Sequence, residues 1–545
     1  MFEYGSQFSY VGLTVELRSV GKVPLIIGRG VAAIVGEAVR GPVGETVLLG
    51  TSADARALFH SGPVCDGCEM LFAQGVDVVA ATKVGGTGIA TAEVEVKTGA
   101  VTLDPPVVGK FVASSPGAWG NSIRGEIAEG SYSSYEVGSF IGDGTVGPYY
   151  FDNWDLEEDT SNFLLVSGVS KSIVYKDEDL ETGKVFFDKK AGSVTFYDGQ
   201  GPTAADVVDY STKYKTRKVI LTDGRKTELY PVSSYIKLQA ALLRSGIARY
   251  EPEPGETHLP DCGVFWLAGG AEGASITTDD WKDALALLLK LPEGVVPTTL
   301  VICDHEVAEE TNDLIPILDG FTVEAANRFV PMIGFVAAKK NSTMADLLRL
   351  KSSYNNPHLV IVGNGWDDSQ PEQNLAVARA GTEAALSLGD SAADINNVIH
   401  DANSLLVQFT PEETDVLTYN SVDVIVKEWA GIKPYVGVTT AADDNFLRCV
   451  DMRTVDHCMN SLNYIAKRFY HRRRTQQTLA AMKGTLDSFF EELVRLQVLD
   501  DFKVSIRANP LDRNKIDIDL WIQCVGHIER IHTVMSVGYW SARMA

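Results

Sequence analysis

Two cysteines with metal-ligand spacing are the first residues in this sequence that could do chemistry. They form the stretch CDGC, from Cys65 to Cys68, which has the spacing of a zinc knuckle. A structural zinc ion needs four ligands, and the sequence contains neither a second CxxC pair nor an HxxxH pair. We therefore interpret both cysteines as structural. The stretch GGTG at residues 85–88 predicts a glycine turn, because no GxGxxG or P-loop motif occurs.

An aspartate and a histidine form the second candidate. Asp304 and His305 follow the apolar run TTLVIC, and α/β enzymes often keep catalytic groups at the carboxyl ends of such strands. The continuation HEVAE lacks the second histidine of an HExxH metal motif, and the sequence has no GxSxG elbow. An α/β hydrolase-like enzyme using Asp304 and His305 is therefore a hypothesis without a complete catalytic set. The sequence predicts no enzyme, no metal site and no cofactor.

Three consecutive arginines, Arg472, Arg473 and Arg474, are the only dense basic cluster. They stand in a chain of 545 residues whose formal charge is -24. The cluster is either a solvated junction between helices or an electrostatic contact with an acidic surface of another copy or of a partner. A strongly acidic chain repels phosphate and anionic lipid, so we expect no nucleic-acid partner and no membrane insertion. The seven scattered cysteines favour a reducing compartment.

Turn residues surround a large aromatic side chain in the stretch SPGAWGNSIRGEI, which is either a ligand loop or a structural corner. Gly117 and Gly120 allow backbone conformations that other residues avoid. Trp119 supplies a large apolar anchor, and Asn121 can hydrogen-bond its own turn. Because no phosphate-binding or catalytic set lies nearby in the sequence, we interpret the stretch as a corner with Trp119 holding the junction.

The elements that would position these residues follow from the hydrophobic pattern. A chain of 545 residues exceeds a single core, so two to four domains are expected. Strand and helix patterns alternate over residues 30–130 and again beyond residue 223, which predicts α/β architecture. Residues 131–223 instead predict short strands, including a hairpin around DKKAG.

Apolar runs and amphipathic stretches define the second α/β region. Residues 232–250 are predicted to be helical, and DDWKDALALLLKL predicts an amphipathic helix capped by Thr277 or Thr278. The runs TTLVICD and HLVIVGNG predict strands of a sheet that is covered on both faces. The run VFWLAGG predicts another buried strand.

Strands are predicted near both ends of the chain. The N-terminal stretch GLTVELRSV alternates apolar and polar residues and has no obvious hairpin partner beside it. Near the C-terminus two amphipathic helices precede KVSIR and KIDIDLWIQ, which flank the turn residues ANPLDRN and predict a hairpin. Strands without local partners suggest pairing between molecules through backbone hydrogen bonds. The residues alone therefore favour a self-assembling structural protein over an enzyme.

Four stretches resemble motifs of contractile tail sheath proteins, a family found in contractile-tailed phages and phage-tail-like particles. The segment SPGAWGNSIRGEI is similar to the family's WGN segment, and FWLAGGAEGAS resembles its L-x-GG-x-DG motif, with Glu272 at the aspartate position. In the last stretch Tyr435 and Val438 stand near the family's usual Trp and Arg. The four stretches are Gly30–Glu45, Ser115–Ile127, Phe265–Ser275 and Leu417–Thr440.

The resemblance implies an α/β and α+β multidomain fold, in which an α/β sheath core carries an inserted β-rich domain. Terminal arms add strands to the sheets of neighbouring subunits. The implied parts are an N-terminal linker arm (1–25), a first core part (26–130), an inserted outer domain (131–223), a second core part (224–400) and a C-terminal inner domain with helices, a β-hairpin and a C-terminal arm (401–545). The implied contacts between subunits are Leu13, Val15, Leu17, Val504, Ile506, Ile516, Ile518 and Leu520.

The resemblance also implies a function and partners. Subunits of this family stack as six-fold rings around an inner tube, and contraction of the array drives the tube through a target cell envelope. The implied partners are further copies of the chain, the inner tail tube protein, and baseplate and tail terminator proteins. The implied location is a virion tail or a phage-tail-like particle, assembled in the host cytoplasm. A baseplate or shell protein is the structural alternative.

Overall fold

The chain folds into two units. The first comprises Met1–Ala38, Gly44–Val84 and Thr277–Ala545, and the second comprises Val39–Val43 and Gly85–Ile276. A computed structural model describes residues 7–10, 13–16, 30–97, 107–151, 153, 156–189, 192–254, 259–273, 275–292, 295–303, 314–370, 373–512 and 514–527. Of residues 7–10, 13–16, 131 and 132 it describes the backbone alone.

Strands occur in both units. In chain order they are β1 (Gln7–Tyr10), β2 (Leu13–Glu16), β3 (Val31–Gly36), β4 (Thr46–Leu49), β5 (Val78–Lys83), β6 (Glu93–Lys97), β7 (Val107–Ala113), β8 (Arg124–Ile141), β9 (Tyr149–Tyr150), β10 (Phe163–Val166), β11 (Val169–Ser170), β12 (Ser172–Val174), β13 (Lys184–Asp188), β14 (Ser193–Phe196), β15 (Val207–Thr222), β16 (Thr227–Val232), β17 (Ala248–Pro252), β18 (Gly263–Trp266), β19 (Thr299–Cys303), β20 (Ile333–Ala337), β21 (Leu359–Val362), β22 (Ile425–Glu428), β23 (Gly431–Pro434), β24 (Leu499–Ala508) and β25 (Ile516–Cys524).

Most helices belong to the first unit. In chain order they are α1 (Ser52–Phe59), α2 (Pro63–Ala73), α3 (Tyr235–Leu242), α4 (Thr278–Leu288), α5 (Leu314–Asn327), α6 (Met344–Lys351), α7 (Leu375–Ala385), α8 (Pro411–Tyr419), α9 (Cys449–Lys467) and α10 (Gln476–Arg495). None of these helices combines the length and the apolar character that crossing a bilayer requires.

The first unit is built on a six-stranded sheet in the order β21-β20-β19-β3-β5-β4. Its strands are parallel except β4, which runs antiparallel to β5. β19, β20 and β21 are buried along their whole length, as expected for a parallel sheet covered on both faces. This confirms the strands predicted from TTLVICD and HLVIVGNG. The predicted helix over DDWKDALALLLKL is α4, where Thr277 and Asp280 form a capping box.

Helix α2 contains both cysteines of the CDGC stretch and is not predicted by the hydrophobic pattern. Its first residue is Pro63, whose fixed φ suits the first helical position. Cys65 and Cys68 are buried in the hydrophobic core of the first unit. Burial raises the pKa of the Cys65 thiol to about 11, so the side chain is uncharged at neutral pH. Both cysteines therefore have the surroundings of core residues.

The C-terminal part of the first unit is a helical pair that carries a β-hairpin. α9 and α10 bury apolar side chains between them and against one face of β24 and β25. The buried residues of this cluster include Ile465, Leu486, Phe489, Phe490 and Leu493. The predicted pair of amphipathic helices and the predicted hairpin are confirmed.

A buried histidine gives this helical pair a predictable pH dependence. His457 of α9 is 8% exposed, and its ring centroid lies 6.0 Å from that of Phe489 on α10. Burial lowers the pKa of His457 from 6.5 to about 4. Below pH 6.5 the unfolded chain takes up a proton that the folded chain does not bind, so stability falls as the pH drops towards 4. The expected loss is about 3 kcal/mol over that window.

Urea unfolding of wild type and His457→Met at a series of pH values measures this effect. The His457→Met variant should lose less stability between pH 6.5 and 4 than wild type, because it has no group to titrate there. His471→Gln is the control, because it replaces a histidine at an exposed position. Identical profiles for wild type and His457→Met would show that the prediction is wrong.

Long antiparallel strands organise the second unit. β8 and β15 pair from Arg124 opposite Thr222 to Ile141 opposite Val207. Within the described residues they belong to a six-stranded sheet, beside a four-stranded sheet β12-β13-β14-β9 and a three-stranded sheet β17-β7-β6. The hairpin predicted around DKKAG is the pair β13–β14. The proposed limits of an inserted domain at residues 131 and 223 do not coincide with the unit, because β8 runs continuously across residue 131.

Two predictions for the second unit are wrong, namely the length of one helix and the burial of one strand. The helix predicted over residues 232–250 ends at Leu242, and Ala248–Pro252 is strand β17, paired with β7. Ala248 and Tyr250 are buried in alternation with an exposed Arg249, which is the pattern of a half-buried strand. β18 is a strand as predicted, but it is mainly exposed because it lies at a sheet edge.

Candidate assembly surfaces

Hairpin β24–β25 is a two-stranded sheet with two different faces. Val504 lies opposite Leu520, and Ile506 lies opposite Ile518. These four side chains pack on the cluster formed by α9 and α10. The other face carries polar and charged residues and Trp521, which is 52% exposed. These four of the predicted contact side chains thus pack within their own chain, which leaves their backbone for any contact with another copy. Ile516, also predicted as a contact, is half-buried opposite Ala508.

The backbone of the same residues faces outward at both edges of the hairpin. The amide of Asn509 donates to the carbonyl of Lys515 at 3.2 Å, so these two residues form a hydrogen-bonded pair at the turn. Hydrogen-bonded and non-hydrogen-bonded pairs alternate along an antiparallel ladder. The residues that then point N–H and C=O away from the partner strand include Val504, Ile506 and Ala508 on β24 and Ile516, Ile518 and Leu520 on β25. Within the described residues no third strand joins either edge.

The N-terminal strands form a hairpin of their own. The backbone of β2, which contains Leu13 and Val15, pairs with β1 in an antiparallel register. The prediction of an N-terminal strand without a hairpin partner is therefore wrong. The missed signal is the two-residue spacing between the strands, which contains Gly12. Leu17 lies outside the described residues.

The three consecutive arginines lie in the connection between α9 and α10 and are all exposed. The Arg472 guanidinium lies 5.1 Å from the ring centroid of Phe469. Arg474 donates from Nη1 to the carbonyl oxygens of residues 509, 512 and 515 at 3.1–3.2 Å. Arg474 therefore stabilises the turn of its own hairpin. Arg472 and Arg473 are better placed for a contact with another molecule.

The WGN stretch forms a short 3₁₀ helix, Ala118–Ser122, just before β8 in the second unit. Gly117 has a φ of +130°, and a Cβ atom there would lie 3.2 Å from the carbonyl oxygen of Val39. A Cβ atom at Gly120 would lie 2.7 Å from the Cβ of Ala92. The first glycine is needed for its backbone conformation and the second for the close approach of the chain.

Trp119 is held at this corner by an arginine from the first motif stretch. The Arg40 guanidinium lies 4.4 Å from the centroid of the Trp119 ring, which is a cation–π contact. Arg40 also contacts Asp223 at 3.5 Å and the Ser114 hydroxyl at 3.2 Å. Burial lowers the pKa of Arg40, and Asp223 opposes that effect. The indole itself packs against the hydrophobic core of the second unit.

Asn121 connects the WGN stretch to the AGGAEG stretch. Its Nδ2 donates to the carbonyl of Gly270, and the Gly270 amide donates back to Asn121 Oδ1, both at 2.8 Å. The amide of Ala118 donates to the carboxylate of Glu272 at 2.8 Å. Asn121 was expected to bond its own turn, but its partner lies 149 residues away along the chain. The corner is therefore a joint between distant segments.

Four buried charged side chains form a network in the first unit, and no sequence motif predicts it. Arg379 lies 2.7 Å from Glu383 and 3.0 Å from Asp423, and Arg453 lies 2.9 Å from Glu383. Burial raises the pKa of the Asp423 carboxyl, with Arg379 opposing it. Burial also favours a higher pKa for the Glu383 carboxyl, but the positive charges of Arg453 and Arg379 outweigh it, so the pKa of Glu383 is lowered. The network joins α7 to α9 and to the segment before β22.

The structure does not test the residues of the enzymatic hypothesis. Asp304 and His305 lie outside the described residues. Across the described part of the chain, no group of three or more His, Cys, Asp or Glu side chains could hold a metal ion. The geometry that the structure describes is that of joints and strand edges.

Comparison with solved structures identifies the fold. A sheath tail protein from Listeria innocua matches with a TM-score of 0.59 at 13% identity, over 92% of this chain and 93% of that chain. This chain has the fold of the sheath tail proteins. A second sheath tail protein, from Desulfitobacterium hafniense, matches with a TM-score of 0.54 at 12% identity, over 94% of this chain and 100% of that chain. No family model and no curated protein sequence matches the chain.

The sheath-tail fold agrees with the motif resemblance. It confirms a mixed α/β and α+β architecture with several sheets, as the resemblance implies. Two of the four motif stretches meet within it, through the paired hydrogen bonds between Asn121 and Gly270. A third contributes Arg40, which covers Trp119. These three motif stretches therefore have a structural role, because together they form one corner of the second unit.

Proposed function

We propose that this chain is the subunit of a contractile tail sheath. Subunits polymerise as stacked six-fold rings around an inner tail tube, and the array contracts to drive the tube through a target cell envelope. The sheath-tail fold and the motif resemblance support this proposal. The partners are further copies of this chain, the tube protein, and baseplate and tail terminator proteins. The particle is a virion tail or a phage-tail-like particle that is assembled in the host cytoplasm.

The observation that carries the proposal is a β-hairpin that packs on two helices and has no third strand at either edge among the described residues. Hairpin β24–β25 offers outward N–H and C=O groups while its side chains are fixed by α9 and α10. An extended segment of a neighbour can add to such an edge through backbone bonds alone. The N-terminal strands, which contain Leu13 and Val15, are the proposed donors. Contraction then moves near-rigid subunits while these added strands keep the array connected.

Charge supplies the second kind of contact in this proposal. Arg472 and Arg473 are exposed cations on a chain whose formal charge is -24, so an acidic surface of a neighbour or of the tube attracts them. Contraction uses no nucleotide in this scheme. Its energy is the difference in free energy between two packings of the same subunits.

Replacing Ile518 by proline should abolish tube formation. The Ile518 amide points to the open edge of β25, so proline removes a donor for an added strand but no bond of the hairpin itself. Ile518→Ala is the matched control, because it loses side-chain packing and keeps the amide. Negative-stain microscopy should show tubes for wild type and Ile518→Ala and none for Ile518→Pro. Ile506→Pro and Ile506→Ala examine the β24 edge in the same way.

Other outcomes of this experiment have clear meanings. Tubes in both proline variants would rule out strand addition at this hairpin. A wild-type chain that stays monomeric at every salt concentration would count against the sheath proposal as a whole. Closed rings or shells in place of open tubes would favour a baseplate or shell subunit.

A further inference from the structure

Strand β8 has a long edge that no described strand covers. β15 pairs with β8 from Arg124 to Glu129 and, after a register shift, from Ser133 to Ile141, whereas on the other side β18 pairs only with Arg124–Ile127. The rest of β8, through Ile141, has no strand partner on that side within the described residues. This stretch, AEGSYSSYEVGSFI, contains no lysine, arginine or proline, which are the residues that usually protect an edge from pairing.

The hydrogen-bonding pattern shows which residues face this edge. The amide of Gly142 donates to the carbonyl of Asp206 at 3.1 Å, so these residues form a hydrogen-bonded pair. By alternation, the pairs formed by Ile141 with Val207 and by Val137 with Ser211 are not hydrogen-bonded. The residues whose N–H and C=O groups then point to the uncovered edge are Tyr135, Val137, Ser139 and Ile141.

The same residues expose apolar side chains on one face of the sheet. Tyr135, Val137 and Ile141 are 52%, 75% and 67% exposed. Glu136, the only charged residue between Tyr135 and Ile141, belongs to the opposite face. Its carboxylate accepts hydrogen bonds from Asn153 Nδ2 and from the Tyr210 hydroxyl, at 2.7 and 2.8 Å. The edge therefore combines outward backbone groups with apolar side chains and lacks an outward charge.

We infer that this edge pairs with the same edge of a second copy, antiparallel and about a two-fold axis. Centred on Gly138, the pairing sets Tyr135 against Ile141 of the second copy and Val137 against Ser139. In this register the outward N–H and C=O groups of each copy meet those of the other, and no like charges face each other. The opposite edge of the sheet, β11, has only two residues and is too short to be the partner. Self-complementary two-fold contacts are also the commonest kind between identical chains.

This pairing is independent of the proposed sheath function, because it uses the second unit and not hairpin β24–β25. Each copy has a formal charge of -24, so the two repel each other at long range. Because salt screens that repulsion and leaves the backbone bonds in place, the dimer should become tighter as the salt concentration rises.

Ser139→Pro tests the pairing in the full-length chain. The Ser139 amide points outward, so proline removes a bond between copies but none to β15. Ser139→Ala is the matched control that keeps the amide. Both changes are placed in the Ile518→Pro chain, so that tube formation does not obscure the result. Light scattering after size exclusion should give a dimer for Ile518→Pro alone and with Ser139→Ala, and a monomer with Ser139→Pro.

A second variant covers the case in which Ser139→Pro does not fold. Val137→Lys keeps the amide and places a cation in each edge near its symmetry mate, so the dimer should again be lost while circular dichroism stays unchanged. Three results would overturn the inference. One is a dimer that survives both variants, and another is a monomer at every concentration and salt level. The third is a monomer in which the amides of Val137, Ser139 and Ile141 resist hydrogen exchange, because a segment of the same chain then covers the edge.

Discussion

Replacing Arg379 by methionine should lower the free energy of unfolding of the chain by about 3–5 kcal/mol. Arg379 is fully buried, and its guanidinium contacts Glu383 and Asp423, which are 1% and 0% exposed. Methionine fills much of the space, but it leaves Asp423 without the cation that opposes the cost of its burial. A buried carboxylate without a partner is strongly destabilising. Urea unfolding followed by tryptophan fluorescence measures the loss.

Two further variants separate charge from packing. Arg472→Met makes the same replacement at an exposed position and should change the free energy of unfolding by less than about 0.5 kcal/mol. Adding Asp423→Leu to Arg379→Met removes the orphaned carboxylate and should recover part of the loss. If Arg379→Met unfolds at the same urea concentration as Arg472→Met, the contact between Arg379 and Asp423 does not stabilise the packing of α7 on the segment before β22.

Replacing Trp119 by alanine should destabilise the second unit by about 3 kcal/mol. The indole packs on the core of that unit, so truncation leaves a cavity. It also removes the cation–π partner of Arg40, whose side chain is 8% exposed and stays buried. Thermal unfolding followed by near-ultraviolet circular dichroism should show the transition of this unit at a lower temperature.

Trp429→Ala is the matched control for this prediction. Trp429 is 88% exposed, so its truncation should change stability by less than about 0.5 kcal/mol. In the proposed sheath, Trp119→Ala should also form fewer tubes on heating, whereas Trp429→Ala unfolds at the wild-type temperature. A Trp119→Ala chain with wild-type stability and normal assembly would mean that Trp119 does not hold the corner.

Elements with local causes were predictable from the sequence. The start of α4 is one of them, because the capping box between Thr277 and Asp280 lies within four consecutive residues. The mainly apolar runs of β19 and β21 were another, because a strand buried on both faces has few polar residues. Hairpin β24–β25 followed from alternating apolar residues around a turn-rich loop.

Elements whose form depends on distant contacts were not predictable. β17 has a helix-compatible sequence beside α3, but its pairing with β7, more than a hundred residues earlier, makes it a strand. The limits of an inserted domain were placed where the composition changes at residue 131, yet β8 continues through that residue, and β15 pairs with β8 on both sides of a register shift at this point. Local composition carries no signal for such pairing.

The sequence by itself determined the spacing of apolar residues, and with it the helices, the C-terminal hairpin and the faces that are buried. Only the tertiary structure decided which polar groups meet, such as Arg379 with Asp423 and Asn121 with Gly270, 44 and 149 residues apart. It also decided which edges lack a partner strand among the described residues, on β8 and on β24–β25. The physical reason is that the polarity of a side chain indicates whether it lies on a buried or an exposed face. The backbone groups that pair strands, in contrast, are nearly the same for every residue.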